Sequence, residues 1–155
     1  VTADWNRDGL ADRAQLVEED DSTATLVLFL SDKAQGAVKP AVRVPAFAFS
    51  GLLEGMQPEL KVTPQGSLQV ISQNNAISRD RWTQIVTIIY RNHQFRVAGL
   101  TYYSYDTLDP NAGESVDINL LTGQVIKNNK KSKISPQKIL VTNWNHRRNF
   151  NEFVK

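Results

Sequence analysis

The chain contains no cysteine in 155 residues. That single absence removes disulfide frameworks, thiol nucleophiles and thiolate zinc sites, and it leaves the redox compartment open. Long apolar runs are missing as well, with no stretch near the ~20 residues that cross a bilayer as a helix. Nor does any segment hold a 3.6-residue apolar period over ten or more positions, which predicts little helix. Histidine is limited to His93 and His146. Neither has a metal-ligand neighbour two or four positions away, so both read as exposed polar residues. The nucleophile elbow G-x-S-x-G, the zinc motif H-E-x-x-H and the glycine-rich phosphate loop are all absent. The sequence therefore points away from an enzyme. The one catalytic arrangement it does not address is a carboxylate pair far apart in sequence.

Charge of one sign is also lacking overall, with 18 Lys and Arg against 16 Asp and Glu for a net +2. The distribution is less even. The first 21 residues carry Asp4, Asp8, Asp12, Glu18, Glu19, Asp20 and Asp21 against Arg7 and Arg13. From Lys127 onward, eight basic residues stand against Glu152 alone. An acidic head attracts multivalent cations and a basic tail attracts anions; the plainer reading is a solvated surface with a basic end. Aromatics are not interleaved with the Lys127 to Lys138 cluster, so nucleic acid is not expected as a partner. The chain opens at Val1 with no basic and apolar leader, which fits either a processed or a trimmed protein.

What the sequence does have is strands. At 41% hydrophobic residues it suits one ordinary domain over 1–155 with a real core. Thr23 to Leu30 is apolar on both faces, as a central covered strand would be. Ala41 to Phe49 carries Pro40 and Pro45 at its start and middle, which predicts an edge or a bend. Pro64-Gln65-Gly66 joins Glu59–Thr63 to Ser67–Ser72 as a hairpin. The strongest alternation places Trp82, Gln84, Val86, Ile88 and Tyr90 on one face. After a turn at 91–94, Phe95, Val97, Gly99, Thr101 and Tyr103 continue the pattern. Val116 to Leu120, Val125-Ile126 and Ile139 to Thr142 complete the set, with a basic loop at 127–137. Phe49 to Met56 allows one helical turn. The expected class is all-β, an antiparallel β-sandwich or curled sheet of about 8–10 strands.

One motif carries specific chemistry. Asp4, Asn6, Asp8 and Asp12 occupy positions 1, 3, 5 and 9 of a D-x-N-x-D-G-x-x-D loop. Alternate oxygen side chains on a tight loop can converge on calcium, with the Leu10 carbonyl at position 7 and Gly9 at the bend. Position 12 is Gln15 rather than a bidentate Glu, so this is not an EF-hand. The competing reading is a polar turn whose Asx side chains bond their own backbone. The segment resembles the calcium loop of FG-GAP or VCBS repeats. That resemblance implies calcium as cofactor, with Asp4, Asn6, Asp8, Leu10 (carbonyl) and Asp12 as ligands; a single copy does not imply a propeller.

Two segments suit recognition. Ser72 to Arg81 offers Asn74, Asn75, Arg79 and Arg81, and Tyr102 to Asn111 offers Tyr103, Tyr105 and Asp106. Tyrosine combines flat apolar area with a hydrogen-bonding tip, although alternate tyrosines on a strand also simply pack on a sheet. Arg81-Trp82-Thr83-Gln84, the 105–111 run Y-D-T-L-D-P-N and Asn119-Leu120-Leu121-Thr122-Gly123 are similar to segments of small exported Gram-negative proteins. The similarity implies a periplasmic or extracellular address, as would a calcium site of modest affinity. The expected function is a non-catalytic, calcium-binding domain that binds a protein or cell-wall component. An inhibitor or immunity protein of a cell-wall hydrolase, and a glycan- or peptide-acting enzyme, stand as alternatives.

Overall fold

The computed structural model describes residues 1–19, 22–32, 34, 36–109 and 111–154. The acidic turn expected over Glu19 to Ser22 falls partly on Asp20 and Asp21, outside the described residues, as does Pro110 of the acidic 106–111 segment. Strands make up 56% of the structure, arranged in two antiparallel sheets with one short α-helix.

The first sheet is a meander of β1 (Thr2–Ala3), β2 (Asp12–Glu18), β3 (Thr23–Asp32) and β4 (Ala37–Phe49), paired in that order. β3 lies inside it, and Thr23 to Leu28 are all buried. β4 is the edge, where Pro40 and Pro45 cost no ladder partner on the open side. The β3–β4 register slips between Ala24 and Leu26, and Ala46 just after Pro45 has φ +47°. The expected bend is therefore a bulge.

The second sheet runs β5 (Glu59–Val62), β6 (Leu68–Asn74), β7 (Asp80–Arg91), β8 (Gln94–Asp106), β9 (Glu114–Asn119), β10 (Gln124–Lys127) and β11 (Lys130–Lys133), each paired with the next. The two-residue β12 (Ile139–Leu140) pairs with β8 at Val97 and Arg96, below the end of β9. Tight turns set these registers. Asn92 and His93 both have positive φ, as do Asn128 and Asn129; paired left-handed residues match the strand twist in two-residue hairpins. The second of these hairpins makes β11 a strand within the segment expected as a basic loop.

Leu26, Leu28, Val44 and Phe47 of the first sheet join Leu68, Val70, Val86, Ile88, Leu100 and Ile118 of the second in one buried cluster. The inward face of β7 is the expected one, with Gln84, Val86 and Ile88 buried. In β8 the alternation changes partway. Thr87 pairs with Gly99 but Ile88 pairs with Val97, leaving Ala98 as an extra residue. A bulge of one residue swaps the two faces beyond it. Phe95 and Val97 point inward as expected, but beyond the bulge Leu100 and Tyr102 take that face. Tyr103 and Tyr105 are turned outward, each 44% exposed.

After a 3-10 turn at Val141–Asn143, α1 (His146–Phe153) ends the described chain. The Asn145 side chain caps it by accepting from Arg148 N at 2.9 Å. No helix is expected there from the sequence, and the turn of helix allowed over 49–56 does not form.

Candidate functional site

The Asp4 to Asp12 loop is built by hydrogen bonds to its own carboxylates. Asp4 accepts from Asp8 N at 3.1 Å and from Gly9 N at 2.9 Å. Asp8 accepts from Leu10 N at 2.8 Å and from Asn6 Nδ2 at 3.0 Å, while Asn6 Oδ1 accepts from Asp8 N at 3.0 Å. Asp12 is fully buried. Its carboxylate accepts from Trp5 N and Ser31 N, both at 2.9 Å, and from Asn6 N at 3.4 Å. Both oxygens of each carboxylate are thus engaged by N–H donors, and the three acids do not converge. Among the described residues no group of three or more His, Cys, Asp or Glu side chains could hold a metal ion. This corrects the calcium expectation for Asp4, Asn6, Asp8, Leu10 and Asp12, and the calcium-binding reading of the repeat-type loop with it. The same oxygen pattern that suits a cation also suits backbone N–H groups, and here it serves them.

The loop's work is structural. Asp12 bridges β1–β2 to β3 and fixes the main chain at Trp5, whose ring is buried against Phe95 with centroids 6.1 Å apart. Phe95 in turn meets Tyr90 at 4.8 Å. Burial of Tyr90, and secondarily the Asp12 charge, push its phenol above the ordinary value. The corner therefore joins the first sheet to the β7–β8 turn.

At the opposite end of β7 and β8 the two recognition segments meet. Arg81 pairs with Tyr105, and Asp80 with Asp106, across the ladder. Arg79 grips Asp106 with two contacts, Nη2 to Oδ2 at 2.8 Å and Nε to Oδ1 at 3.2 Å. Thr107 N donates to Arg79 O at 3.0 Å. The Asp106 carboxyl is held below the usual range, chiefly by the Leu108 N–H and then by Arg79. Asn74 closes its own loop, donating to Ile77 O and accepting from Ile77 N. Asn75 N donates to Gly55 O at 3.0 Å, which ties in the 50–58 loop. Asn74, Arg79 and Asp106 thus build the platform, while Tyr103 and Tyr105 are presented by it. Arg81 is half-buried.

No family model, curated protein or solved structure matches the chain. What the protein does rests on its own geometry. Leu52 and Leu53 lie outside both segments read for recognition, Ile77 and Leu108 lie within them, and all four are exposed on these three loops. Only the hydrogen bonds between loops reveal that they share one end of the molecule.

A cavity of about 450 Å³ lies on the inner face of the second sheet beneath α1. Phe49 meets Trp82 with centroids 5.4 Å apart, and Tyr102 meets Phe150 at 4.8 Å. α1 is fastened beside it by His146 Nδ1, which donates to Ala46 O at 2.9 Å, and by Lys127 Nζ, which donates to Val154 O at 3.0 Å. His146 therefore packs at this lid rather than standing free as expected, whereas His93 is exposed in its turn.

Proposed function

We propose that the domain binds a protein partner through the loop end formed by residues 50–58, 74–81 and 102–109. One observation carries this. Of the eleven large hydrophobic side chains exposed among the described residues, six lie at this end: Leu52, Leu53, Ile77, Tyr103, Tyr105 and Leu108. Leu52 and Leu108 are 75% and 73% exposed, a costly placement for leucine unless something covers it. The loops that carry them are hydrogen-bonded in series, so the surface is pre-organised and loses little entropy on binding. Aromatic and aliphatic anchors rimmed by polar groups are the usual composition of a binding centre.

A protein partner fits this surface better than a cell-wall glycan, because four of the six anchors are aliphatic. Among the described residues no helix is long and apolar enough to cross a membrane. With calcium gone, support for a periplasmic or extracellular address narrows to the resemblance over residues 72–124. Affinity capture with wild type and a Leu52→Ser, Leu108→Ser variant tests the proposal. A partner retained by wild type and lost by an equally stable variant supports it. Equal retention by both sinks it.

A further inference from the structure

The cavity under α1 is independent of the loop end and has its own chemistry. Its walls are two aromatic pairs, which suits a flat apolar group. Gln84 lies on its floor, paired across the ladder with Tyr102. That residue is only 8% exposed, yet its side-chain amide makes no hydrogen bond to any described residue. The amide is not sealed from solvent, so it stands open to a polar group entering the cavity.

The charges at the cavity favour an anion. Glu114 is neutralised by Lys127, with Nζ to Oε1 at 2.6 Å. Arg147 lines the same space and is without an ion-pair partner among the described residues. It also sits in the first turn of α1, where the helix dipole adds positive potential. The planar guanidinium matches a carboxylate in two-point geometry. The volume falls within the roughly 300–1,000 Å³ of small-molecule sites.

We infer that this cavity binds an aromatic carboxylate, with its ring between the Phe49–Trp82 and Tyr102–Phe150 pairs, its carboxylate on Arg147 and a polar group on Gln84. The source of that chemistry is either a free small acid or the C-terminal aromatic residue of a polypeptide. Both present one flat ring a few bonds from a carboxylate. A cationic ligand is disfavoured, because among the described lining residues the one acid, Glu114, is already paired.

NMR titration of the full chain with 3-phenylpropanoate, 3-phenylpropanol and 3-phenylpropylamine tests this, since the three differ only in the charged end. The expected result is a saturable shift of the Gln84 side-chain amide and the α1 amides, with the acid at least about tenfold tighter than the other two. Arg147→Gln, an exposed and unpaired position, should bring the acid to the level of the alcohol at unchanged melting temperature. A short peptide ending in phenylalanine, free or amidated at its C-terminus, separates the sources: tighter binding of the free-acid peptide than of 3-phenylpropanoate identifies a chain end, and weaker binding a small acid. No saturable shift up to about 10 mM, or equal binding of all three probes, overturns the proposal.

Discussion

Asp12→Ala is the substitution on which the account of the N-terminal loop stands. The carboxylate is fully buried and accepts two short N–H bonds, from Trp5 and Ser31 at 2.9 Å, plus a longer one from Asn6. Hydrogen bonds to a charged acceptor contribute about 1.5–3 kcal/mol each, and deletion strands the donors. Taking the two short bonds and allowing for their coupling, the loss is about 3–5 kcal/mol. That is a large share of the roughly 5–15 kcal/mol that holds a domain together. For a chain of this length each kcal/mol moves the melting temperature by about 2–4 °C, so Asp12→Ala should melt roughly 6–20 °C lower. Asp8→Ala is the matched control. Asp8 is exposed and its bond to Leu10 N closes only a local turn, so its loss should cost no more than about 1 kcal/mol. Thermal melts followed by circular dichroism in chelator-containing buffer measure both. Equal melting of Asp12→Ala and wild type, or equal losses at Asp8 and Asp12, would refute the reasoning.

Chelator-stripped protein should melt at the same temperature with and without added calcium; a rise with calcium concentration would reinstate a bound ion. The Thr25 hydroxyl is buried without a partner in β3, so Thr25→Val should raise the denaturant midpoint or leave it unchanged, and a clear loss would contradict that. Asp106 should titrate below the ordinary aspartate value of about 3.9 when followed by carboxyl NMR. Because its folded value is the depressed one, its contribution is present above the unfolded value and lost as pH falls through the folded one. Arg79→Gln should move the midpoint part of the way back and leave the larger effect of the Leu108 N–H. An ordinary midpoint in wild type would count against the clamp.

Strand identity was legible wherever side-chain period alone decides it, as in β3 and β7. The Pro40 and Pro45 edge and the 91–94 turn were legible for the same local reason. The face of Tyr103 was not, because it depends on a bulge at Ala98 that exists only in the pairing of β8 with β7. α1 was hidden for another cause: eight residues hold too few apolar positions to show a period, and their stability comes from packing against β4 and Tyr102. In the Asp4 to Asp12 loop the pattern was visible but its meaning was not. Oxygens spaced for a cation are equally spaced for Asx turns, and the burial of Asp12 against Ser31, nineteen residues away, decides between them. The binding end is the extreme case, since its leucines come from separate loops that only the fold assembles.

The most direct measurement is site-specific photocrosslinking in the native cell. A photoreactive residue replaces Ile77 or Leu108 at the loop end, or Leu121 or Ile134 near the opposite ends of their strands, where side chains are also exposed. The account predicts one discrete protein adduct from Ile77 and Leu108 and none from Leu121 and Ile134. The same adduct from all four positions, or from the far end alone, would contradict it.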